Sequence, residues 1–167
     1  EPVAPGGYAA ALLLDATVLL SRADLRAPEE ALRRWMNAAA LVRPGADGGQ
    51  VVVVGDPAHP AVQALVRWDP ATYADRELAE RGEVRLPPAA ALVSLTGEPE
   101  AVSAFLAHCV LPEPTEVLGP VPAPEGQHRI LLKAPTAGRT ALTTALRQAA
   151  AIRSAHKDSG PVRIQVD

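Results

Sequence analysis

The sequence predicts a mixed chain, α/β in its first half and α+β in its second half, and three observations support this fold class. Residues 51–54 are an unbroken run of valine, which is typical of a parallel strand buried on both faces. From residue 89 onward, strand-like and helix-like segments follow in the order β-α-β-β-α-β. The Pro87-Pro88 pair separates the two patterns, so we place the domain boundary there.

The sequence of the first half predicts too few strands and helices for a closed domain. Residues 9–14 and 18–20 are apolar and predict one buried strand or a pair of strands. Pro28 and the two glutamates after it predict the start of a helix, which ends at Pro44. Residues 60–67 and the segment after Asp69-Pro70 predict two further helices. We therefore expect an incomplete α/β domain.

The second half predicts four strands and two helices. The strands are residues 89–95, 115–118, 127–133 and 161–166, and the helices are residues 98–110 and 136–154. Residues 119–124 are rich in proline and glycine and predict a turn. This order of elements predicts the ferredoxin-like arrangement.

Composition limits what the chain can do. Of the 167 residues 48% are hydrophobic but only 3% aromatic, so the cores must be built from Ala, Leu and Val. The single cysteine excludes an internal disulfide, and the four histidines lack metal-site spacing, so no metal is expected. Asp15 interrupts the apolar residues 11–20, which are too short to span a membrane. Because the first residue is Glu1, we interpret the chain as a piece of a longer protein.

The charge distribution points to the end of the chain as the site for an anionic partner. The net charge of −3 disfavours a stand-alone nucleic-acid binder. Residues 89–126 hold five acidic and no basic side chains, whereas residues 127–167 hold seven basic and two acidic ones. The seven basic residues are Arg129, Lys133, Arg139, Arg147, Arg153, Lys157 and Arg163.

Two groups of these residues have alternative interpretations. Arg139, Thr143 and Arg147 lie one helical turn apart, so they form either a solvated face or an anion-binding strip. Arg163 and Gln165 project from the outer face of a strand. We expect them to be solvated, because a sheet face that binds single strands usually carries aromatic side chains.

Several short patterns resemble, in their order, the C-terminal part of the bacterial primosomal protein N′ (PriA) family. They are Asp24-Leu25-Arg26 with Glu29, residues 49–53, His59-Pro60, Tyr73 with residues 77–81, Leu86-Pro87-Pro88, residues 118–124, and the closing residues 163–167. The resemblance implies that residues 1–67 are the end of the second RecA-like helicase lobe. It implies that residues 68–88 are a helical linker and that residues 89–167 are a ferredoxin-like C-terminal domain.

The chain departs from the family's helicase motif in a way that bears on catalysis. The resemblance implies two arginines that reach the nucleotide phosphates. Leu41 and Pro44 occupy those positions, and Arg43 is shifted by one residue, or about 100° on a helix. The degenerate motif comprises Asn37, Ala40, Leu41, Arg43 and Pro44. The sequence is therefore similar to a subgroup from high-GC bacteria without helicase motifs, and neither this fragment nor its parent is expected to be a helicase.

The resemblance implies a cytoplasmic, nucleoid-associated role in DNA replication, as a non-catalytic scaffold in replication restart and primosome assembly. The implied partners are branched or single-stranded DNA, the acidic tail of single-stranded DNA-binding protein, and other primosome proteins. Zinc and ATP belong to the upstream parent, and no cofactor is expected in this chain. The candidate residues for binding DNA or an acidic peptide are Arg129, Lys133, Arg139 and Arg147.

Three other functions remain open at this point. The chain could be a ferredoxin-like regulatory module that binds a small molecule, although no Gly-rich turn follows residues 89–95. It could be part of an ATP-dependent DNA helicase that upstream residues complete. It could also be a protein-interaction domain that never meets nucleic acid.

Overall fold

A computed structural model describes residues 4–156 and 160–167 of the chain. It divides into two compact units, Glu1–Glu77 and Leu78–Asp167. Lys157, one of the predicted basic residues, lies outside the described residues. Within the described part of the chain, no helix has both the length and the apolarity needed to cross a membrane.

The first unit combines a two-stranded sheet with helices. Its elements are β1 (Ala10–Leu13), α1 (Ala16–Leu20), α2 (Ala27–Ala39), β2 (Gln50–Val53), α3 (Pro60–Arg67) and the first part of α4 (Pro70–Glu83). Strands β1 and β2 pair in parallel, from Ala10 opposite Gln50 to Leu13 opposite Val53. Trp35 of α2, only 2% exposed, is the largest side chain of the core.

Local sequence explains where the helices of this unit begin. Pro28 lies in the first turn of α2, and Glu29 and Glu30 place negative charge at the positive end of its dipole. At α3, Pro60 follows His59, whose Nδ1 accepts a hydrogen bond of 3.2 Å from the Ala61 amide. The predicted helices at these positions are confirmed.

Two predictions for the first unit are wrong. Residues 18–20 belong to α1 rather than to a strand, because a short apolar run does not distinguish helix from strand by periodicity. The valines around β2 are not buried on both faces: Val52 is 45% exposed, and Val51 and Val54 are also exposed. Parallel pairing was predicted correctly, but among the described residues this sheet has only two strands.

The second unit is a four-stranded antiparallel sheet with two helices. Its elements are β3 (Ala90–Gly97), α5 (Pro99–Ala107), β4 (Glu116–Pro122), β5 (His128–Pro135), α6 (Arg139–His156) and β6 (Val162–Val166). The strand order is β4-β5-β3-β6. The β-α-β-β-α-β order predicted from the sequence is therefore confirmed.

The core of this unit lies between the sheet and the two helices. Buried and partly exposed side chains alternate along β3 and β5, which is the pattern of a sheet covered on one face. The buried members of this core are Val93, Leu95, Val102, Phe105, Ile130, Leu132, Ala134, Leu142, Leu146 and Ala149. Both helices therefore cover the same face of the sheet.

The turn predicted over residues 119–124 is wrong. Strand β4 continues to Pro122, with a shift of register between Leu118 and Val121. Gly119 has a φ of 106°, and a Cβ there would lie 2.9 Å from the carbonyl oxygen of Arg129. Glycine thus allows an irregular stretch of an edge strand, where proline is tolerated because it need not donate to a neighbour.

The unit boundary lies inside α4, between Glu77 and Leu78. The domain ranges inferred from the sequence, 1–67, 68–88 and 89–167, remain predictions.

Candidate nucleic-acid interface

The sheet of the second unit has one face beneath the helices and one opposite face. Opposed residues on neighbouring strands point to the same face, and successive residues along a strand alternate between faces. Val93 opposes Leu132, and both lie in the core with α5 and α6. Their neighbours Ser94 and Leu131 therefore point the other way, to what we call the open face.

Two arginines flank a threonine on this open face. Thr96 of β3 opposes Arg129 of β5 on one side and Arg163 of β6 on the other. We call these three residues the Arg-Thr-Arg row. The Nε of Arg129 donates a hydrogen bond of 3.4 Å to the hydroxyl oxygen of Thr96. Both arginines are exposed, so their charges face solvent.

Lys133 lies on the same face but in a different electrostatic setting. It opposes Glu116, and its Nζ lies 3.2 Å from Glu116 Oε2. The same carboxylate oxygen is 3.2 Å from Nη2 of Arg85. The Lys133 side chain is only 14% exposed. Its charge is therefore mostly compensated and covered, unlike those of the Arg-Thr-Arg row.

Arg139 and Arg147 belong to the helical layer instead. They lie on α6, whose Leu142 and Leu146 pack into the core on the covered face of the sheet. The hydroxyl of Thr143, between them, donates to the carbonyl oxygens of Arg139 at 3.1 Å and Thr140 at 3.0 Å. The four candidate residues therefore form two separate groups, Arg129 with Lys133 and Arg139 with Arg147.

Arg153, another predicted basic residue, has a packing role. It is only 9% exposed, and its guanidinium carbon lies 6.0 Å from the centre of the Phe105 ring. Its Nη2 donates a hydrogen bond of 2.9 Å to the carbonyl oxygen of Gly160. Arg153 thus joins α6 to α5 and to the start of the last strand.

The residues of the degenerate motif lie where α2 connects to β2. Asn37 is on α2, Ala40 caps it, and Leu41 follows. The Tyr8 amide donates to the Leu41 carbonyl at 2.9 Å, and the Arg43 amide donates to the Tyr8 carbonyl at 3.0 Å. The backbone around Arg43 therefore extends the β1 side of the sheet.

Arg43 also packs tightly against the turn that precedes β2. Gly49 comes so close that a Cβ there would overlap the carbonyl group of Arg43. A Cβ on Gly48 would lie 3.7 Å from Nη2 of Arg43, so the guanidinium lies over this turn. Pro44 begins the same turn, since its carbonyl accepts from the Gly49 amide at 3.1 Å.

A groove runs along β1 in the first unit. It encloses about 510 Å³ and is lined by β1, Asp15, Arg34, Trp35 and Leu41. Arg34 is already paired, with its Nε 2.7 Å from Oε1 of Glu30. Nε1 of Trp35 is buried and has no hydrogen-bond partner among the described residues. The groove is therefore mainly apolar, with one buried donor in its wall.

The histidines and the cysteine form no recognisable metal centre in the part of the chain that the structure describes. The rings of His108 and His156 pack edge to face, with their centres 5.4 Å apart. Cys109 follows His108 and is partly buried, and this burial raises the pKa of its thiol.

Sequence reasoning did not find the Arg-Thr-Arg row. Arg163 was expected to be merely solvated, and Thr96 was not singled out. The alternation of polar residues in the last strand placed Arg163 on an outer face, but nothing in the sequence showed that Arg129 and Thr96 share it. Strand order and register, which arise from tertiary pairing, supply that information.

Comparison with known proteins identifies the family of the second unit. The family model described as the primosomal protein N C-terminal domain matches residues 82–167. This match covers more than half of the chain and includes every strand of the antiparallel sheet. The chain belongs to the PriA family. The resemblance inferred from the short sequence patterns is thereby confirmed.

Curated PriA relatives extend the similarity to the first unit. A probable replication restart protein PriA of Mycobacterium leprae is 45% identical over 179 residues, covering all of this chain and 28% of the relative. One of Mycobacterium tuberculosis is 53% identical over 133 residues, covering 77% of this chain and 20% of the relative. The Synechocystis replication restart protein PriA is 30% identical over 115 residues. The chain thus spans less than a third of the length of these relatives.

Proposed function

We propose that this chain is a non-catalytic module of a replication restart protein that contacts DNA and partner proteins. Family membership supports the replication restart role, since its relatives carry that name. The observation that carries the DNA-binding part is the exposed positive charge on the open face of the family-matched unit. Binding through a few phosphate contacts is weak and strongly dependent on salt.

The two groups of candidate residues suit different roles within this function. Arg129 and Lys133 lie on the open face, where the exposed Arg129 suits contact with a nucleic-acid backbone and Lys133 is paired with Glu116. Arg139 and Arg147 lie on α6 and offer charge to an acidic peptide, such as the tail of single-stranded DNA-binding protein. Primosome proteins are the further partners that we propose, in the cytoplasm at the nucleoid.

The proposed fold assignments agree with this function. The strand order β4-β5-β3-β6, with helices after β3 and β5, supports a ferredoxin-like domain over residues 89–167, after a helical linker over residues 68–88. The parallel pairing of β1 with β2 and the groove beside β1 support an incomplete RecA-like lobe over residues 1–67.

The non-catalytic character rests on the positions that lack arginine. Leu41 and Pro44 cannot supply positive charge to a triphosphate. Arg43 packs over the Gly48-Gly49 turn, and Arg34 is paired with Glu30. The alternative, a part of an ATP-dependent helicase, requires ATP turnover. We expect none above background from this chain, or from a longer protein that contains it, in the presence of branched DNA.

Fluorescence anisotropy tests the DNA-binding part of the proposal. Labelled single-stranded, forked and duplex DNA are titrated with the chain between about 50 mM and about 200 mM salt. We expect binding at the lower salt concentration that becomes severalfold weaker at the higher one. Absence of binding to every DNA at the lowest salt would contradict the proposal and favour a pure protein-interaction domain.

Calorimetry tests the regulatory alternative. Free nucleotides and amino acids are titrated into the chain under the same low-salt conditions. We expect no heat of binding, because the proposed function needs no small-molecule ligand. Saturable micromolar binding of one such molecule would favour the regulatory module instead.

A further inference from the structure

We propose that the Arg-Thr-Arg row is a phosphate-binding site that holds the backbone of single-stranded DNA across the open face. The inference rests on the proposed DNA-binding function and assigns it to Arg129, Thr96 and Arg163. It adds Thr96 and Arg163 to Arg129 and leaves Lys133, Arg139 and Arg147 outside the site.

The geometry of the row suits a phosphodiester. Arg129 and Arg163 lie two strands apart, on either side of Thr96. Neighbouring strands are about 4.8 Å apart, so the two arginine Cα atoms are about 10 Å apart. Two flexible guanidinium groups at that separation reach one phosphate from both sides or two successive phosphates along a strand.

Thr96 contributes a donor between the two cations. Its hydroxyl oxygen accepts the hydrogen bond from Nε of Arg129. A hydroxyl that accepts in this way keeps its own hydrogen to donate. That hydrogen is available to a phosphate oxygen lying over the middle of the row. The same hydrogen bond directs the Arg129 side chain toward the middle of the row.

The positive charge of the row is not compensated locally. Within the described residues, neither Arg129 nor Arg163 has a carboxylate at ion-pair distance. Glu116 is on the same face but opposes Lys133, four residues along β5 from Arg129. That separation is about 13 Å along the strand. Glu116 is also already engaged by Lys133 and Arg85.

The side chains around the row favour recognition of backbone rather than bases. Ser94, Leu131 and Gln165 form the next row of the open face. The strands β3 to β6 contain no Phe, Tyr or Trp on which a base could stack, and His128 at the start of β5 opposes Gly97 rather than Thr96. Affinity therefore comes from phosphate contacts and is independent of base sequence.

Val121 of β4 opposes Arg129 and is 50% exposed, and Leu118 opposes Leu131, so apolar side chains also lie on this face. An acidic peptide is therefore the competing ligand that the variants below distinguish from DNA.

Matched variants test the assignment by anisotropy with a labelled single strand of about 20 nucleotides. The sheet variant is Arg129→Gln with Arg163→Gln, and the helix variant is Arg139→Gln with Arg147→Gln. The helix variant loses the same two positive charges as the sheet variant and so controls for net charge, and Arg22→Gln, an exposed residue of the first unit, is a single-charge control. Circular dichroism melts check that each variant folds, because four of the five side chains are exposed but Arg139 is partly buried and its Nε is covered.

We expect the sheet variant to bind at least tenfold more weakly at low salt. For single-stranded DNA, each phosphate contact contributes about 0.7 to the slope of log K against the logarithm of salt concentration. The sheet variant lacks two such contacts, so its slope should be smaller by about 1.4. Thr96→Val, which removes only the hydroxyl, should weaken binding severalfold. Arg22→Gln should bind like the unsubstituted chain. Oligonucleotides of different base sequence should bind equally.

Three results would overturn the proposal in distinguishable ways. If the unsubstituted chain binds DNA and the sheet variant binds equally well, the site assignment is wrong while the proposed function survives. If the unsubstituted chain binds no DNA at low salt, both fail. If the sheet variant loses an acidic peptide but retains DNA, the row is a peptide site.

Discussion

At the scale of single residues, the surroundings of a cation decide what it can do. Lys133 and Arg129 lie on one strand and one face, yet Glu116 compensates the first, whereas the second donates a hydrogen bond to the Thr96 hydroxyl. Arg153 is buried against Phe105 and serves packing. A count of basic residues at the end of the chain therefore overestimates the charge available to DNA.

Glu30 provides a residue-scale prediction with a defined pH dependence. Hydrogen bonds from Arg33, and next from Arg34, lower the pKa of its carboxyl from 4.5 to about 2. Because the pKa of Glu30 is lower in the folded chain, its carboxylate stabilises the fold at pH values above the ordinary pKa of 4.5. That stabilisation is lost as the pH falls through about 2. Glu30→Gln should melt at a lower temperature than the unsubstituted chain at pH 7.

The pH series of these melts supplies the control. The difference in melting temperature between the two proteins should shrink between about pH 4.5 and about pH 2, and it should be small because the pair is exposed. An equal difference at pH 2 and pH 7 would show that the ion pairs do not cause it.

Cys109 gives a second prediction at this scale. Burial raises the pKa of its thiol, so the thiolate that reacts with disulfide reagents is scarce at neutral pH. The folded chain should react with Ellman's reagent clearly more slowly than the same chain in denaturant. Equal rates in the two states would mean that the thiol is accessible, and Cys109→Ser gives the blank.

At the scale of elements, the sequence predicted type and order well but not every length. Apolar segments predicted β3 and β5, alternation of apolar and polar residues predicted β6, and the helical spacing of Leu142, Leu146 and Ala149 predicted α6. The extension of β4 to Pro122 was missed, because proline and glycine mark a turn locally even where an edge strand tolerates them.

The candidate site depended on information of another kind. The sequence supplied Arg129 and Lys133 as candidates, but Thr96 and Arg163 became part of the site only through strand pairing. Thr96 and its pairing partner Arg129 are more than thirty residues apart in the sequence. No local pattern fixes that register, so the row could not be predicted from the sequence.

Gly97 provides a prediction for the junction of β3 and β6. A Cβ at this position would lie 2.6 Å from the carbonyl oxygen of Pro161, so Gly97→Ala must displace the start of β6. We expect a loss of about 1–3 kcal/mol in the free energy of unfolding, measured with urea. Gly82→Ala is the matched control, because nothing lies within 4 Å of a Cβ there.

The Gly82→Ala control should be more stable than the unsubstituted chain. Gly82 lies inside α4, where alanine is favoured over glycine by about 0.5–1 kcal/mol. A Gly97→Ala chain as stable as the Gly82→Ala chain would contradict the close approach of β3 to the segment before β6.

At the scale of the whole molecule, the two units differ in how complete they are. The second unit has a core enclosed by its own sheet and helices, and the PriA family match covers most of it. The first unit has a two-stranded sheet with exposed valines and a groove along β1. The second unit is therefore the self-sufficient part in which we place the contact with DNA.

The most direct test of this account is an NMR titration of the chain with single-stranded DNA, following the Nε–Hε signals of its arginines. We predict that the signals of Arg129 and Arg163 shift first, together with the amides of Thr96 and Gln165. Shifts confined to Arg139 and Arg147, with the sheet residues unchanged, would contradict the central claim that the open face holds the DNA backbone.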